Sequence, residues 1–366
     1  MQRSLRHEKR EFVIAGRPSR IAIVGATSLA GKELSDALAE SLLAASDVLL
    51  LDAEDAAGQV TAAGDEVTFI QKIEVESFAG MDFVFFAGDA ETTRKYWKTA
   101  RLAGASIIDM TYALEGEPGV MVRGPWLNAA VRAAGEAHLG GQEPDLTTPA
   151  VVAAHPAALM LLLVAGRLHA KRPVRAISAT VFEPASEHGQ AAMDELHQQT
   201  VSLLSFQSMP REQYDAQVAF NLLPALGGAA KVKLAGSRER IADHYATLSA
   251  GTAPELALQL VQAPVFHGYV VSALVELEGT ASKEQIEAAV HGEHVDMVGA
   301  ESDPPSNLSA AGQADVLVRI STASASDGLA SRFWVWMAAD NLKLAALNAI
   351  ACANELGRLR PQGKVQ

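Results

Sequence analysis

Along the first part of the chain, short apolar runs alternate with segments whose apolar residues recur at helical spacing. Strands are predicted at Ile21 to Val24, in "SDVLLLDAED", in "MDFVFFAG" and in "ASIIDM". Strands that alternate with helices are typical of a parallel, doubly wound sheet. We therefore expect a Rossmann-type α/β domain here.

The pattern changes near residue 171, where strand-like stretches become more frequent and helices fewer. A strand-rich block of this kind usually packs as a mostly antiparallel sheet with helices on one face. We therefore expect a second domain of α+β type. Its predicted elements are strands in "VRAISATVF", "PELALQLVQAPVFHGYVVSALVELEG", "ADVLVRISTA" and "SRFWVWMAA", and a helix in "GQAAMDELHQQTVSLLSF". In "AQVAFNLLPALGG", a short strand that leads into a Pro/Gly loop is predicted.

The length of 366 residues exceeds what one ordinary core holds, so two domains are expected. The dinucleotide-binding domain is predicted at 19–150, and a C-terminal helix at 340–366 completes it. The substrate or dimerisation domain is predicted at 151–339. Residues 1–18 are interpreted as an N-terminal extension.

The composition indicates a folded globular protein and disfavours a nucleic-acid-binding protein. Hydrophobic residues make up 49% and charged residues 20%, as in folded globular proteins. The net charge of −13 disfavours nucleic-acid binding, which requires a basic face. No apolar run reaches the roughly 20 residues of a membrane helix, and the charged N-terminus lacks a signal peptide's apolar segment. We therefore expect a cytoplasmic protein that contacts no membrane. Cys352 is the only cysteine, which excludes a cysteine-based metal site.

A glycine-containing turn, "GATSLAG", follows the first predicted strand. Such a turn brings backbone N–H groups and a helix N-terminus to a pyrophosphate. The spacing is looser than in the usual dinucleotide motif, so a tight turn without a ligand is the alternative. The candidate cofactor-binding residues are Gly25, Thr27, Ser28, Leu29, Ala30, Gly31, Asp52 and Gly88.

Acidic residues follow the second predicted strand, which ends at Asp52. An acid about 20 residues beyond the glycines is placed to accept from a ribose 2′-OH. Because Glu54 and Asp55 lie just beyond, three carboxylates would repel a 2′-phosphate. The cluster favours NAD and disfavours NADP, unless it is only a solvated acidic turn.

The stretch "AHPAALML" (154–161) joins a strand-like run to an apolar helical segment. Many α/β enzymes place a nucleophile at such a junction, because unpaired N–H groups and the helix dipole favour an anion there. The residues at this junction are His155, Pro156, Ala157 and Ala158. The last three carry no nucleophile.

Several segments in a fixed order resemble the aspartate-semialdehyde dehydrogenase family, from about Ser19 to Leu359. "IAIVGATSLAG" resembles the family's "GATGxVG" turn, and "QVAFNLLP" resembles its "IAFNVLP" segment. "GQAAMDEL", "APVFHGY" and "DNLKLAALNAI" are similar to further family segments. The resemblance implies a homodimer and the NADP-linked oxidation of a semialdehyde to an acyl phosphate.

The family's reaction uses a cysteine thiolate as nucleophile and a histidine as acid and base. The resemblance places Ala158 at the cysteine and Tyr269 at the histidine. A tyrosine with its ordinary pKa of about 10 is a poor base at neutral pH. The resemblance also places Gln262 at the arginine for the substrate carboxylate and Glu115 at the phosphate-binding arginine. Glu183 replaces the glutamine that orients the nucleophile.

Three histidines are candidate substitute bases: His155, His188 and His267. In a strand, His267 would share a face with Tyr269 at a separation of about 7 Å, within reach of the pocket. Glu187 and His188 add titratable groups to the predicted substrate loop. Their spacing fits no compact set of metal ligands, so no metal is expected.

Two hypotheses for the function follow. The leading one is a catalytically disabled relative of the semialdehyde dehydrogenases that binds NAD, a small-molecule ligand or a protein partner. The alternative is an active NAD(P)-dependent oxidoreductase that acts on an aldehyde or another carbonyl without a cysteine. Ser186, Gly189 and Asn128 match the family under either hypothesis.

Overall fold

The computed structural model describes residues 18–44, 46–63, 66–127, 139–323 and 328–360. The expected N-terminal extension, apart from Pro18, and Asn128 lie outside these ranges. The chain divides into two compact units. Unit 1 comprises Met1–Met121, Pro144–Val152 and Ala349–Gln366, and unit 2 comprises Val122–Glu143 and Ala153–Asn348. Across the described ranges, no helix has the length and apolar character needed to cross a membrane.

Unit 1 contains the parallel sheet expected from the alternation of strands and helices. Its elements are β1 (Arg20–Val24), α1 (Leu29–Ala39), β2 (Asp47–Asp52), β3 (Val60–Ala63), β4 (Glu66–Phe69), β5 (Gln71–Lys72), β6 (Phe83–Phe86), α2 (Ala90–Leu102), β7 (Ser106–Asp109), β8 (Met121–Arg123), of which only Met121 belongs to unit 1, and β9 (Val151–Ala153), of which Val151 and Val152 belong to it. The sheet order is β5-β2-β1-β6-β7-β9-β8. Each neighbouring pair from β5 through β9 is parallel.

The central strands of this sheet are apolar on both faces. The side chains of Ile21 to Val24 and of Phe83 to Phe86 are all buried. Continuous apolar runs of this kind are typical of parallel strands covered on both sides. The carboxyl ends of β1, β2 and β6 therefore carry the loops in which a ligand of this unit is expected.

Unit 2 is built on a six-stranded mixed sheet. Its elements are α3 (Pro156–Lys171), β10 (Val174–Glu183), α4 (Gln190–Leu204), α5 (Leu234–Ser249), β11 (Glu255–Gln262), β12 (Tyr269–Ala281), α6 (Lys283–Val290), β13 (Val295–Met297), α7 (Asn307–Ala310), β14 (Val316–Thr322), β15 (Ala330–Ala339) and α8 (Asn341–Leu359), whose last eleven residues belong to unit 1. The sheet order is β11-β10-β12-β15-β14-β13. The β10–β11 and β13–β14 pairs are parallel, and the other three are antiparallel.

The core of unit 2 lies between this sheet and α3. Every residue of α3 from Pro156 to Leu168 is buried, because the helix is apolar almost all round. It packs against α5, α6 and β10. On the other face of the sheet, Trp334 and Trp336 of β15 are 45% and 38% exposed. The predicted fold class, a Rossmann-type parallel sheet plus an α+β unit, is confirmed.

One predicted strand is wrong. The segment 216–228 forms a loop whose backbone meets a strand only at an isolated bridge between Leu223 and Gln262. The Oε1 atom of the buried Gln199 accepts from the backbone N–H groups of Val218 and Ala219, at 2.8 and 3.2 Å. The Gln199 side chain thus pairs with the backbone of the segment that was predicted as a short strand.

Candidate functional site

In the glycine-containing turn of unit 1, backbone segments approach one another closely. Gly25 has a φ of +85°, and a Cβ there would lie 2.2 Å from the Cα of Gly88. A Cβ at Gly31 would lie 2.2 Å from the carbonyl oxygen of Gly25. The close approach of backbone segments therefore requires both glycines even without a ligand.

The hydrogen bonds of this turn leave two helical N–H groups open. Ser28 caps α1, since its Oγ accepts from Gly31 N at 2.9 Å and donates to the Ala87 carbonyl at 2.7 Å. The Leu29 and Ala30 N–H groups have no acceptor among the described residues. Two open N–H groups at the positive end of a helix fit an anionic pyrophosphate.

The Asp52 carboxylate is engaged by the turn itself. Its Oδ2 accepts from the Thr27 backbone N–H at 2.8 Å and from the Thr27 hydroxyl at 2.6 Å. Its Oδ1 accepts from Ala53 N at 2.8 Å. Asp52 therefore fixes the shape of the turn, in addition to standing at the end of β2 where a ribose acceptor is expected.

The acidic cluster beyond β2 has a cationic neighbour that was not foreseen. The pairing of β2 with β5 places Lys72 beside Asp52, and Lys72 Nζ lies 2.9 Å from Glu54 Oε2. The hydrogen bond and negative charge of Glu54 raise the pKa of Lys72. Lys72 thus places a positive charge beside the carboxylates that were expected to repel a 2′-phosphate.

The N-terminus of α3 in unit 2 is closed by its own imidazole. His155 is the N-cap residue, and its Nδ1 accepts from the Ala157 backbone N–H at 3.2 Å. The backbone N–H of His155 donates to Nδ1 of His244 at 2.9 Å. Ala158, at the position of the family's nucleophile, is completely buried. The first turn of this helix thus presents a methyl group and an imidazole cap, and no thiol.

Two imidazole–carboxylate pairs lie in the same buried region. His155 Nε2 lies 3.2 Å from Glu187 Oε1, and His188 Nε2 lies 2.6 Å from Glu183 Oε1. Nδ1 of His155 is turned toward the first turn of α3, so Nε2 is the ring nitrogen that faces Glu187. The two pairs overlap along the sequence, since Glu187 of one pair lies between Glu183 and His188 of the other.

The electrostatics of the region favour the charged forms of His188 and Glu187. Burial lowers the pKa of His188, but the negative charge and hydrogen bond of Glu183 outweigh it, so the pKa is raised overall. The positive charge of Arg240 opposes part of this increase. Burial raises the pKa of Glu187, but the charge and hydrogen bond of His155 and the charge of His188 outweigh it, so that pKa is lowered. In both groups, the interactions with the partner thus outweigh the effect of burial on the pKa.

Tyr269 connects the two pairs. Its hydroxyl donates to Oε2 of Glu183 at 3.2 Å, and its ring centroid lies 5.8 Å from that of His155. Gln262, adjacent to Glu183 in the β10–β11 register, donates from Nε2 to the Glu183 carbonyl at 3.0 Å. Six positions singled out from the sequence in unit 2 thus meet in one region, namely His155, Glu183, Glu187, His188, Gln262 and Tyr269.

Three further residues of this region were not identified from the sequence. Asn341 accepts at Oδ1 from the Ser186 hydroxyl and from Gly268 N, at 3.1 and 3.0 Å, and donates to Glu187 at 3.4 Å. His244 and Arg240 are four residues apart on α5 and therefore share one helix face. Ile241 and Leu248 lie on the buried, apolar face of α5 near His244. The spacing of these apolar residues was the feature of the sequence that could have predicted a buried His244.

Two other candidates are placed differently from what was expected. His267 lies in the loop before β12, and Gly268, with a φ of +86°, separates it from Tyr269. The strand spacing assumed for His267 and Tyr269 is therefore wrong, because the strand begins only at Tyr269. Glu115 is an exposed turn residue of unit 1. Within the described residues, no group of three or more His, Cys, Asp or Glu side chains is arranged to hold a metal ion.

The chain is similar to known proteins over most of its length. A model of the NAD-binding domain of semialdehyde dehydrogenases matches residues 20–137, and a model of their dimerisation domain matches residues 166–344. A Pseudomonas aeruginosa protein named USG-1 protein homolog is 31% identical over 343 residues, covering 91% of this chain and 96% of that protein.

Solved structures share the fold. The structure of a probable aspartate-semialdehyde dehydrogenase from Pseudomonas aeruginosa has a TM-score of 0.78 and 26% identity, covering 93% of this chain and 98% of that one. Aspartate semialdehyde dehydrogenase from Candida albicans, solved with NADP, has a TM-score of 0.62 and 15% identity, covering 93% of this chain and 99% of that one.

Proposed function

The chain belongs to the semialdehyde dehydrogenase family and contains its NAD(P)-binding domain, and we propose that it is a member without the family's thiol-dependent activity. It would bind a nicotinamide dinucleotide but would not oxidise a semialdehyde to an acyl phosphate. The observation that carries this proposal is Ala158, buried at the start of α3. A methyl group forms no covalent intermediate with an aldehyde.

A single restored thiol is not expected to rebuild the reaction. Tyr269 occupies the position of the family's base, and its hydroxyl donates to Glu183. His155, the nearest imidazole to Ala158 in the chain, caps α3 through Nδ1 and faces Glu187 through Nε2. Neither group is arranged to take a proton from a thiol at residue 158.

The test is an assay of NADH and NADPH formation from aspartate semialdehyde and phosphate by the full-length protein. We expect no turnover from the wild type or from Ala158→Cys. Turnover is expected only from the Ala158→Cys, Tyr269→His double variant, because it restores both a nucleophile and a base. Phosphate-dependent turnover by the wild type would contradict the proposal.

The cofactor is proposed to lie against the glycine-containing turn of unit 1. The open N–H groups of Leu29 and Ala30 would hold the pyrophosphate, and Asp52 would accept from a ribose hydroxyl. The expected bias against NADP is not supported, because Lys72 accompanies the acidic cluster and a protein of the same fold was solved with NADP. Separate calorimetric titrations with NADH and NADPH test this; no binding of either at millimolar concentration would refute it.

The chain Tyr269–Glu183–His188 favours a second candidate function, a cysteine-independent NAD(P)-dependent oxidoreductase. Hydride addition to a carbonyl carbon leaves an oxyanion that needs a proton, and the Tyr269 hydroxyl is an O–H donor. Screening carbonyl compounds with NADH and NADPH distinguishes the candidates. Turnover that Tyr269→Phe abolishes, with cofactor binding retained, would support the second one.

A homodimer is the proposed assembly, since the chain carries the family's dimerisation domain. The outer face of the unit 2 sheet presents Phe182, Trp334 and Trp336, of which the two tryptophans are substantially exposed. Large aromatic side chains are enriched in interfaces between subunits. We therefore propose that this face meets a second copy.

A further inference from the structure

A cavity of unit 1 lies at the amino ends of β7 and β9. It has a volume of about 280 Å³ and is lined by the last turns of α2 and α8, by the start of β7 and by residues 145–150. All of these segments belong to unit 1. The glycine-containing turn follows the carboxyl end of β1 in the same parallel sheet, so the cavity lies at the opposite edge from that turn.

The buried part of the lining is apolar. It includes Ile107, Ala150 and Leu356, whose side chains are at most 7% exposed. Leu146, which is 74% exposed, adds an apolar side chain at the rim. Pockets for drug-sized ligands begin at roughly 300 Å³, so this cavity suits a smaller molecule with an aliphatic group.

Arg101 contributes a positive charge to the lining. It is an exposed residue in the last turn of α2, and its side chain makes no hydrogen bond or ion pair with another described residue. Arg360, the other arginine of the lining, donates to the carbonyl oxygens of Asp82 and Gly104. Arg101 therefore has its guanidinium available for a carboxylate, the group that its planar donors match best.

Asp145 contributes a negative charge whose orientation is fixed. Its Oδ1 accepts from the Thr147 hydroxyl at 2.7 Å and from the backbone N–H groups of Thr147 and Thr148 at 2.8 and 3.1 Å. The hydrogen bonds from Thr147 lower the pKa of Asp145, so the carboxylate is ionised at neutral pH. Within the described part of the chain, these bonds all go to Oδ1, which leaves Oδ2 open to a cationic group of a ligand.

We propose that this cavity binds an α-amino acid with an aliphatic side chain. Arg101 contacts the carboxylate, Oδ2 of Asp145 contacts the ammonium group, and the apolar lining holds the side chain. A ligand with only a carboxylate meets the negative charge of Asp145, and a ligand with only an ammonium group meets the positive charge of Arg101. A zwitterion complements both charges. This inference goes beyond the proposed function and is independent of the nucleotide site.

The test compares L-leucine with two analogues that each lack one of its charged groups. Isocaproate has the same carbon skeleton without the ammonium group, and L-leucinamide replaces the carboxylate by a neutral amide. Each compound is titrated by calorimetry into the full-length protein, up to millimolar concentration. We expect leucine to bind at least about threefold more tightly than either analogue, because each analogue loses one ionic contact.

Two substitutions assign the contacts. Arg101→Gln should weaken the binding of leucine and isocaproate at least about threefold and leave leucinamide unchanged. Asp145→Asn keeps an oxygen for the Thr147 and Thr148 donors, and should weaken leucine and leucinamide but not isocaproate. Arg94→Gln is the matched control, because Arg94 is exposed on the same helix and lies outside the cavity. It should change none of the affinities.

Equal affinity for the three compounds would overturn the inference, since only the apolar lining would then contribute. Binding of none of them at millimolar concentration would overturn it as well. Leucine binding that is weakened as much by Arg94→Gln as by Arg101→Gln would place the ligand elsewhere. NADH binding measured on the same sample keeps each of these failures distinct from a failure of the proposed function.

Discussion

The Nε2 atom of His188 lies 2.6 Å from Oε1 of Glu183, in a region where the Glu183 side chain has no exposed surface. Burying a carboxyl group without a partner is costly, and the His188 imidazole and the Tyr269 hydroxyl both contact that of Glu183. Glu187, four residues from Glu183, has the His155 imidazole as its partner at 3.2 Å. Substitutions and changes of pH should therefore change the stability of the fold through these pairs.

The stability of unit 2 should depend on the protonation of His188. Its pKa is raised above the ordinary 6.5 in the folded state, so its contribution is fully present below about pH 6.5 and is lost as pH rises through the folded pKa. His188→Gln should lower the free energy of unfolding at pH 6 by roughly 1–3 kcal/mol and flatten its fall at higher pH. Urea unfolding between pH 5 and 9 measures this. His197→Gln is the control, since His197 is exposed on α4; an identical pH profile for both variants would contradict the assignment.

At the acid end, Glu187 should have the opposite effect. Its pKa is lowered below the ordinary 4.5, so its contribution is present above about pH 4.5 and is lost as pH falls through the folded pKa. Glu187→Gln should therefore reduce the acid sensitivity of the fold relative to the wild type. Unfolding free energies measured from pH 5 down to pH 3 check this. The same loss of free energy in Glu187→Gln and in the wild type would contradict the role assigned to Glu187.

Asp52 should stabilise the glycine-containing turn whether or not a nucleotide is bound. Asp52→Ala leaves the Thr27 backbone N–H and hydroxyl without their acceptor, and should cost about 1–3 kcal/mol of unfolding free energy. Asp47→Ala removes an exposed acid at the other end of the same strand, and should change stability by less than about 0.5 kcal/mol. Urea unfolding without added nucleotide compares them. Equal effects would mean that Asp52 does not shape the turn.

Lys72 should affect the balance between NADPH and NADH. If a 2′-phosphate lies beside Asp52 and Glu54, Lys72→Glu adds a repulsive charge and should weaken NADPH binding roughly 3- to 10-fold relative to NADH. Lys98→Glu, an exposed lysine of α2, is the charge-matched control. Parallel titrations with both nucleotides measure the ratio. A ratio unaltered by Lys72→Glu would place the 2′-position away from this lysine.

The tryptophans of β15 should control assembly. Trp334→Glu places a charge in the centre of the proposed interface and should convert the dimer to monomers at micromolar concentration. Leu102→Glu introduces the same charge at an 89% exposed position of unit 1 and should leave the dimer intact. Size-exclusion chromatography with light scattering reads the mass directly. A dimeric Trp334→Glu variant would locate the interface elsewhere.

The sequence by itself determined the sheet of unit 1 and the absence of a thiol at residue 158. Both follow from local properties: apolar runs that alternate with helical periodicity, and a short motif whose spacing matches the family. Glu183, Gln262 and Tyr269 were found in the same way, because each sits within a conspicuous segment.

Only the tertiary structure decided which groups meet. Lys72 reaches Glu54 because β5 pairs with β2, and His244 reaches His155 across 89 positions of the chain. The register of β10 and β11 sets the Gln262 amide against the Glu183 carbonyl. Hydrogen bonds and ion pairs depend on distances of a few ångströms between remote segments, and the periodicity of a sequence does not specify such distances.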